Sequence, residues 1–355
     1  MRILIVGDSY FPSSAYRPAF ARLADGHSLT FADIADDPGW TPLTPSEQAL
    51  KETDGSPAAV IAALERHDVL VVQGAPVSDA VLDAAPGLRL VCCARGGPVN
   101  VDLAAATERG IPVVTTPGKN AEAVADLTIA FMVMLARRLP EVIRHVEGGG
   151  EFGHDNYEGR RWFGHDLAAL TLGLVGYGQV GRRVATRARA FGMRVIAHDP
   201  FIAADAMAEG GVEAVDLETL LTSADVVSLH ARAGASDGHL IGADEVALMK
   251  AGSYLINTAR DTLIDEAALA DGLASGRLAG IALDLVSPSP PTGRHPLLAF
   301  PNAIITTHIG GATFETLHHA SEMVVAEIER LAAGEPLVNV ANRAELEARG
   351  HGPAR

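Results

Sequence analysis

Residues 171–200 read TLGLVGYGQVGRRVATRARAFGMRVIAHDP, and the fold follows from this stretch. It opens with a short apolar run, residues 172–175, of strand length. Gly176, Gly178 and Gly181 follow in the pattern G-x-G-x-x-G. Residues 184–191 suit a helix, Gly192 closes it, and residues 193–197 read as a second strand ending at Asp199. A lone G-x-G-x-x-G is a weak signal. Here a strand precedes it, a helix opens behind it and an acidic residue ends the next strand, which is the context a dinucleotide fingerprint requires. Gly176 permits the tight turn, Gly178 lets backbone approach a pyrophosphate, and Gly181 allows helix and strand to pack closely. The helix N-terminus then presents N–H groups and a positive dipole end to phosphates. Tyr177, Gln179 and Val180 fill the turn and, with Pro200 beyond Asp199, complete the expected cofactor-binding set. Asp199 can accept from both ribose hydroxyls and would repel a 2′-phosphate, so NAD is expected over NADP.

Alternating strand and helix signals extend on both sides, which predicts α/β architecture with parallel sheets wrapped by helices. Strands are expected at residues 2–6, 28–32, 69–72, 88–92 and 113–115, with helices near 15–24, 57–66, 79–84 and 103–109. Residues 36–54 interrupt this as a surface excursion, in which Thr44 and Glu47 form a capping box. Residues 120–146 carry a long helical pattern that Pro140 either kinks or restarts. The second alternating unit fills residues 171–307, with further strands near 226–229, 253–256, 281–283 and 303–306. A final helix is expected at 312–333, and the tail, 346–355, should be frayed.

The chain has 355 residues, 48% of them hydrophobic and 20% charged, which allows two globular domains with full cores. A net charge of −16 argues against nucleic acid and anionic membrane as partners. Cys92 and Cys93 are adjacent on a strand, so they point to opposite faces. They have neither disulfide nor metal-ligand spacing, and no metal is expected, which favours a cytoplasmic location. The most apolar run, residues 127–136, is too short to span a bilayer.

Three later stretches lie where strands end: Asn257-Thr-Ala-Arg260, Leu283-Asp284 and Thr307-His308-Ile-Gly-Gly-Ala-Thr313. Ligands bind at the carboxyl ends of an open parallel sheet, so Arg260 and His308 should converge there. With residues 118–126 (GKNAEAVAD), the fingerprint and Ser228-Leu-His230, these stretches make the chain resemble the D-isomer-specific 2-hydroxyacid dehydrogenases, including their phosphoglycerate dehydrogenase branch. The resemblance covers nearly the whole chain. It implies two doubly wound domains: a discontinuous flavodoxin-like substrate domain, residues 1–118 plus 310–345, and a Rossmann NAD-binding domain, residues 119–309. It also implies a homodimer paired through the NAD domains.

The family roles fall on matching positions. Arg260 should bind the substrate carboxylate and polarise its C2 oxygen, and His308 should exchange a proton with that oxygen. Gly96 and Gly97 should offer N–H groups to the carboxylate, and Arg95 beside them is a candidate for a second anionic group. Asp284 should meet the nicotinamide carboxamide, with His230, Thr258, Ala259 and Gly310 lining the cofactor. The chemistry asks for these types: a cation stabilises charge on the C2 oxygen, and an imidazole trades a proton near neutral pH. The sequence also departs from the family. Ser289 stands where the catalytic His usually meets a Glu, Thr307 replaces a Pro, Asp261 a Gly and Arg232 a Pro. A Ser can orient an imidazole but lends its cation no charge. The expected activity is NAD-dependent interconversion of a D-2-hydroxy acid and its 2-keto acid. Two alternatives are an NAD(H)-sensing regulatory protein without catalysis and a dehydrogenase of a related anion, formate-like or phosphorus-containing.

Overall fold

The structure, a computed structural model, describes residues 1–150, 158–232, 238–287 and 293–351. The chain divides into two compact units, Met1–Lys119 with Thr313–Arg355, and Asn120–Ala312.

Among the described residues, the first unit holds five parallel strands, β1 (Arg2–Gly7), β2 (Ser28–Asp33), β3 (Val69–Val72), β4 (Leu90–Cys93) and β5 (Val113–Val114), in the order β2-β1-β3-β4-β5. This is the flavodoxin-like winding. Alternate residues feed two cores. Ile3, Ile5, Val69, Val71 and Cys92 pack with Val324, Val325 and Ile328 of helix Phe314–Ala333. Leu4, Val6, Leu70, Val72, Val91 and Cys93 pack on the other face. Burial on both faces explains why β1, β3 and β4 read as apolar runs, whereas the edge strand β2, SLTFAD, is only partly buried. Helix Pro45–Ala49 carries the expected capping box, Thr44 with Glu47.

The tail departs from expectation. Helix Arg343–Ala348 runs into the segment expected to be frayed, and Leu346 is buried. Its anchor is the buried Asn342, whose Nδ2 donates to Thr107 Oγ1 and Ile111 O and whose Oδ1 accepts the Val113 N–H. The polar composition of this end hid that anchor.

Among the described residues, the second unit holds seven parallel strands: β6 (Thr171–Val175), β7 (Arg194–His198), β8 (Glu213–Ala214), β9 (Val226–Leu229), β10 (Ser253–Asn257), β11 (Leu278–Leu283) and β12 (Ala303–Ile305). Their order, β12-β11-β10-β9-β6-β7-β8, is the Rossmann winding with one added strand. The order reverses between β6 and β9, which places the ligand crevice at their carboxyl ends. The long helical pattern forms two helices, Ala121–Ala136 and Leu139–Glu147. The break falls at Arg138, which is left-handed (φ 54°), and Pro140 sits in the first turn of the new helix, where no N–H is needed. Among the described residues, no helix is long and apolar enough to cross a membrane.

Candidate active site

The fingerprint turn lies at the reversal of strand order. Gly176 has φ 101°, and a Cβ there would stand 2.6 Å from the His230 carbonyl carbon on the neighbouring strand end. A Cβ on Gly181 would overlap Gly176 O at 2.3 Å, so helix Gln179–Ala190 packs on the turn only because position 181 has no side chain. Around Gly178 nothing lies within 4 Å of a Cβ position. The helix has no acidic residue in its first turn, which keeps its N-terminal field positive. Asp199 lies half-buried just past β7, with Oδ2 accepting the Tyr177 N–H at 2.8 Å and Oδ1 the Phe201 N–H at 2.9 Å. These two bonds fix the carboxylate and leave it further acceptor sites. A cavity of about 460 Å³ opens beside it, lined in part by Ile202, Met207, Val215 and Thr219. Gln179 Oε1 accepts from Arg183, Val180 packs against the core, and Pro200 is exposed.

His230 follows β9, with Nε2 2.9 Å from Ser228 Oγ. Desolvation holds its pKa down at about 3, so the ring is neutral at physiological pH. Thr258 is buried, its hydroxyl 3.2 Å from that of Thr128, and the Ala259 N–H bonds to Asn257 Oδ1 at 2.9 Å.

Arg260 and His308 are both exposed, just beyond the carboxyl ends of β10 and β12. One Arg260 Nη donates to Ala259 O at 2.7 Å. His308 is left-handed (φ 58°), a conformation a non-glycine residue holds only against strain. Its N–H donates to Asp284 O at 2.8 Å. Asp284, just past β11, is 1% exposed. Its Oδ1 accepts from Thr306 Oγ1 (2.6 Å) and the Ile309 N–H (2.8 Å), and its Oδ2 from the Gly310 N–H (2.7 Å). The Asp284 carboxyl is thus turned into the His308 loop, and the Gly310 amide is committed to it. Asp284 Oδ2 carries a single one of these bonds, and the carboxylate keeps a further acceptor site.

In the first unit, Gly96 and Gly97 are exposed, with nothing within 4 Å of either Cβ position. Arg95 pairs with Glu52, donating to its carbonyl at 2.9 Å and to its carboxylate. Glu52 is itself left-handed (φ 50°). Nothing in the 36–54 excursion identified it as this partner. Lys119 Nζ donates to Ala94 O at 2.6 Å, and burial lowers its pKa to about 8. Cys92 and Cys93 are free and fully buried, and desolvation pushes both thiols up, Cys93 to about 12. They fill the core and have no thiolate character.

Residues 129–310 match the family described as "D-isomer specific 2-hydroxyacid dehydrogenase, NAD binding domain". Over 297 residues the chain is 35% identical to D-3-phosphoglycerate dehydrogenase of Archaeoglobus fulgidus, covering 83% of this chain and 55% of that protein. It is 36% identical over 278 residues to glyoxylate reductase of Korarchaeum cryptofilum, covering 78% of this chain and 83% of the relative. The crystal structure of the TT0316 protein from Thermus thermophilus superposes with a TM-score of 0.73 at 34% identity, over 96% of this chain and 100% of that one. The chain belongs to the D-isomer specific 2-hydroxyacid dehydrogenase family. Its second unit carries the family's NAD-binding domain, and the chain spans about half the length of the phosphoglycerate dehydrogenases it matches.

Ser289 lies outside the described residues. On either side of it, Ser287 N donates to Glu266 Oε1 at 2.8 Å, and His295 Nε2 lies 2.9 Å from Glu266 Oε2. Thr307 is exposed, and Asp261 opens a 3-10 turn to Leu263. Sequence reasoning gave Asn257 no role, although its side chain bonds on both sides of the Arg260 turn. An Asn ending an apolar strand, three residues before an Arg, was the available signal.

Proposed function

We propose that this protein is an NAD-dependent oxidoreductase that interconverts a D-2-hydroxy acid and its 2-keto acid. The observation that carries the reading is the setting of Arg260 and His308, at the carboxyl ends of the sheet that bears the fingerprint. The chain's own residues fit NAD: open space at Gly178 admits a pyrophosphate, the helix behind it presents N–H groups, and Asp199 retains acceptor sites for ribose hydroxyls. When bound, NAD would accept the C2 hydrogen with its electron pair, and NADH would return it.

Arg260 is proposed to bind the substrate carboxylate and to stabilise charge on the C2 oxygen. His308 takes the hydroxyl proton as the alcohol is oxidised and gives it back as the ketone is reduced. Gly96 and Gly97 are proposed to offer N–H groups to the carboxylate. Arg95, paired with Glu52, can meet a second anion only by sharing or giving up that partner. A cytoplasmic location and a homodimer formed through NAD domains belong to the same proposal.

The test is a panel of 2-hydroxy and 2-keto acids, phosphorylated ones included, followed by nicotinamide absorbance with NAD and NADP. Turnover with NAD is expected. Arg260→Ala should lose about tenfold to a hundredfold in kcat/KM, the scale of one charge-assisted contact, while NADH still binds. Nucleotide binding without turnover of any acid in the panel would favour the regulatory alternative.

A further inference from the structure

Arg260 follows β10 and His308 follows β12, and the strand between these two, β11, ends beside Asp284. Asn257, the last residue of β10, is fully buried. Its Nδ2 donates to Arg260 O at 2.7 Å and its Oδ1 accepts the Ala259 N–H at 2.9 Å, so one amide closes the Arg260 turn from both sides. Asp284 does the same for His308. Three successive N–H groups, of His308, Ile309 and Gly310, all end on Asp284, at its carbonyl and its two carboxyl oxygens, and Thr306 Oγ1 adds a fourth bond. A Cβ at position 310 would stand 2.7 Å from Asp284 Oδ2, so only glycine allows this approach. The Asp284 N–H donates to Asn257 O at 3.0 Å and ties the two clamps together.

We infer that Asn257 and Asp284 are a coupled pair of positioning residues, one holding the Arg260 turn and the other the His308 turn. The inference rests on the roles proposed above for Arg260 and His308. The His308 turn is exposed and strained at φ 58°, and the four bonds to Asp284 brace it in that conformation. Asp284 thereby orients the imidazole through the backbone, in a chain whose position 289 is Ser.

Three variants separate this from other roles. Asp284→Asn keeps the shape but sets an NH₂ group against a backbone N–H. Thr306→Val removes a single hydroxyl and carries the test if Asp284→Asn does not fold. Asn257→Asp keeps the acceptor for Ala259 and loses the donor to Arg260 O. Hydrogen exchange reads the clamp without catalysis: in the wild type the Ile309 and Gly310 amides should be protected, although their loop is exposed. Asp284→Asn should abolish that protection and Thr306→Val should weaken it, with β6 and β9 amides unchanged. In 2-keto-acid reduction, Asp284→Asn should lower kcat by about tenfold or more with NADH affinity within about twofold. Asn257→Asp should instead raise KM for the keto acid by about fivefold, with kcat little changed. Unchanged exchange at 309–310 in Asp284→Asn, or in Thr306→Val if that variant carries the test, overturns the inference. So does a variant whose main effect is loss of NADH affinity, since that is the signature of a contact to the nicotinamide. A wild type that reduces no 2-keto acid would instead remove the roles of Arg260 and His308, and the exchange data would still decide whether the clamp exists.

Discussion

Lys119 is a charge held where charge is disfavoured. Its ammonium is folded against Ala94 O, and burial lowers its pKa from 10.5 to about 8. Between those values the unfolded chain keeps a proton that the folded chain has released, so stability rises with pH across the window. Below pH 8 both states are protonated and the full cost of burying the cation is present. Lys119→Met should therefore raise the melting temperature at pH 7, by roughly 2–4 °C for each kcal/mol recovered, and the gain should shrink by pH 10. A gain that does not change with pH would place the ammonium in water. Arg95 poses a question of specificity. Held by Glu52, it should matter more to phosphorylated or dicarboxylic substrates than to glyoxylate, and Arg95→Ala should cost the former more kcat/KM than the latter. Equal losses on both kinds of substrate would leave Arg95 as the anchor of Glu52.

The strand–turn–helix of 171–190 separates two demands that its glycines meet. At Gly181 a Cβ would collide with Gly176 O, whereas at Gly178 it would meet no protein atom within 4 Å. Gly181→Ala should lower stability by about 1–3 kcal/mol through overpacking and weaken nucleotide binding as the helix shifts. Gly178→Ala should leave the melting temperature alone and weaken only nucleotide binding, measured by NADH fluorescence. Equal destabilisation by both would contradict this division of labour. Elements of this kind were legible because their cause is local: apolar runs buried on both faces, glycines at fixed spacing, an acid at a strand end. The two-residue strand β8, with both residues exposed, gave no pattern to read. The left-handed break at Arg138 was masked by the helical periodicity that continues across it. At the candidate site, the sequence placed Arg260, Asp284 and His308 at strand ends but did not reveal which way Asp284 turns. That depends on a loop more than twenty residues later, and the Glu52–Arg95 pair likewise joins residues far apart in sequence.

At the scale of the whole molecule, the proposed homodimer asks for a surface on the second unit. Helix Leu139–Glu147 is held on one side by Arg144, which donates to Ala303 O at 3.1 Å. On its other side Leu139, Ile143 and Val146, spaced i, i+4 and i+7, are 37%, 47% and 38% exposed. Those positions share one stripe of a helix, so the exposed apolar area is continuous. A two-fold interface uses the same patch on both subunits, so each substitution acts twice. Burying one such side chain contributes roughly 1.5–3 kcal/mol, and two copies contribute about twice that. Ile143→Glu would also place a carboxylate in each half of the contact. It should weaken the dimer by about a hundredfold or more, giving monomers at micromolar concentration in sedimentation velocity, with secondary structure and NADH binding retained. A wild type that sediments as a monomer would remove the dimer from the proposal. An Ile143→Glu protein that stays dimeric would keep the dimer and move its interface off this helix.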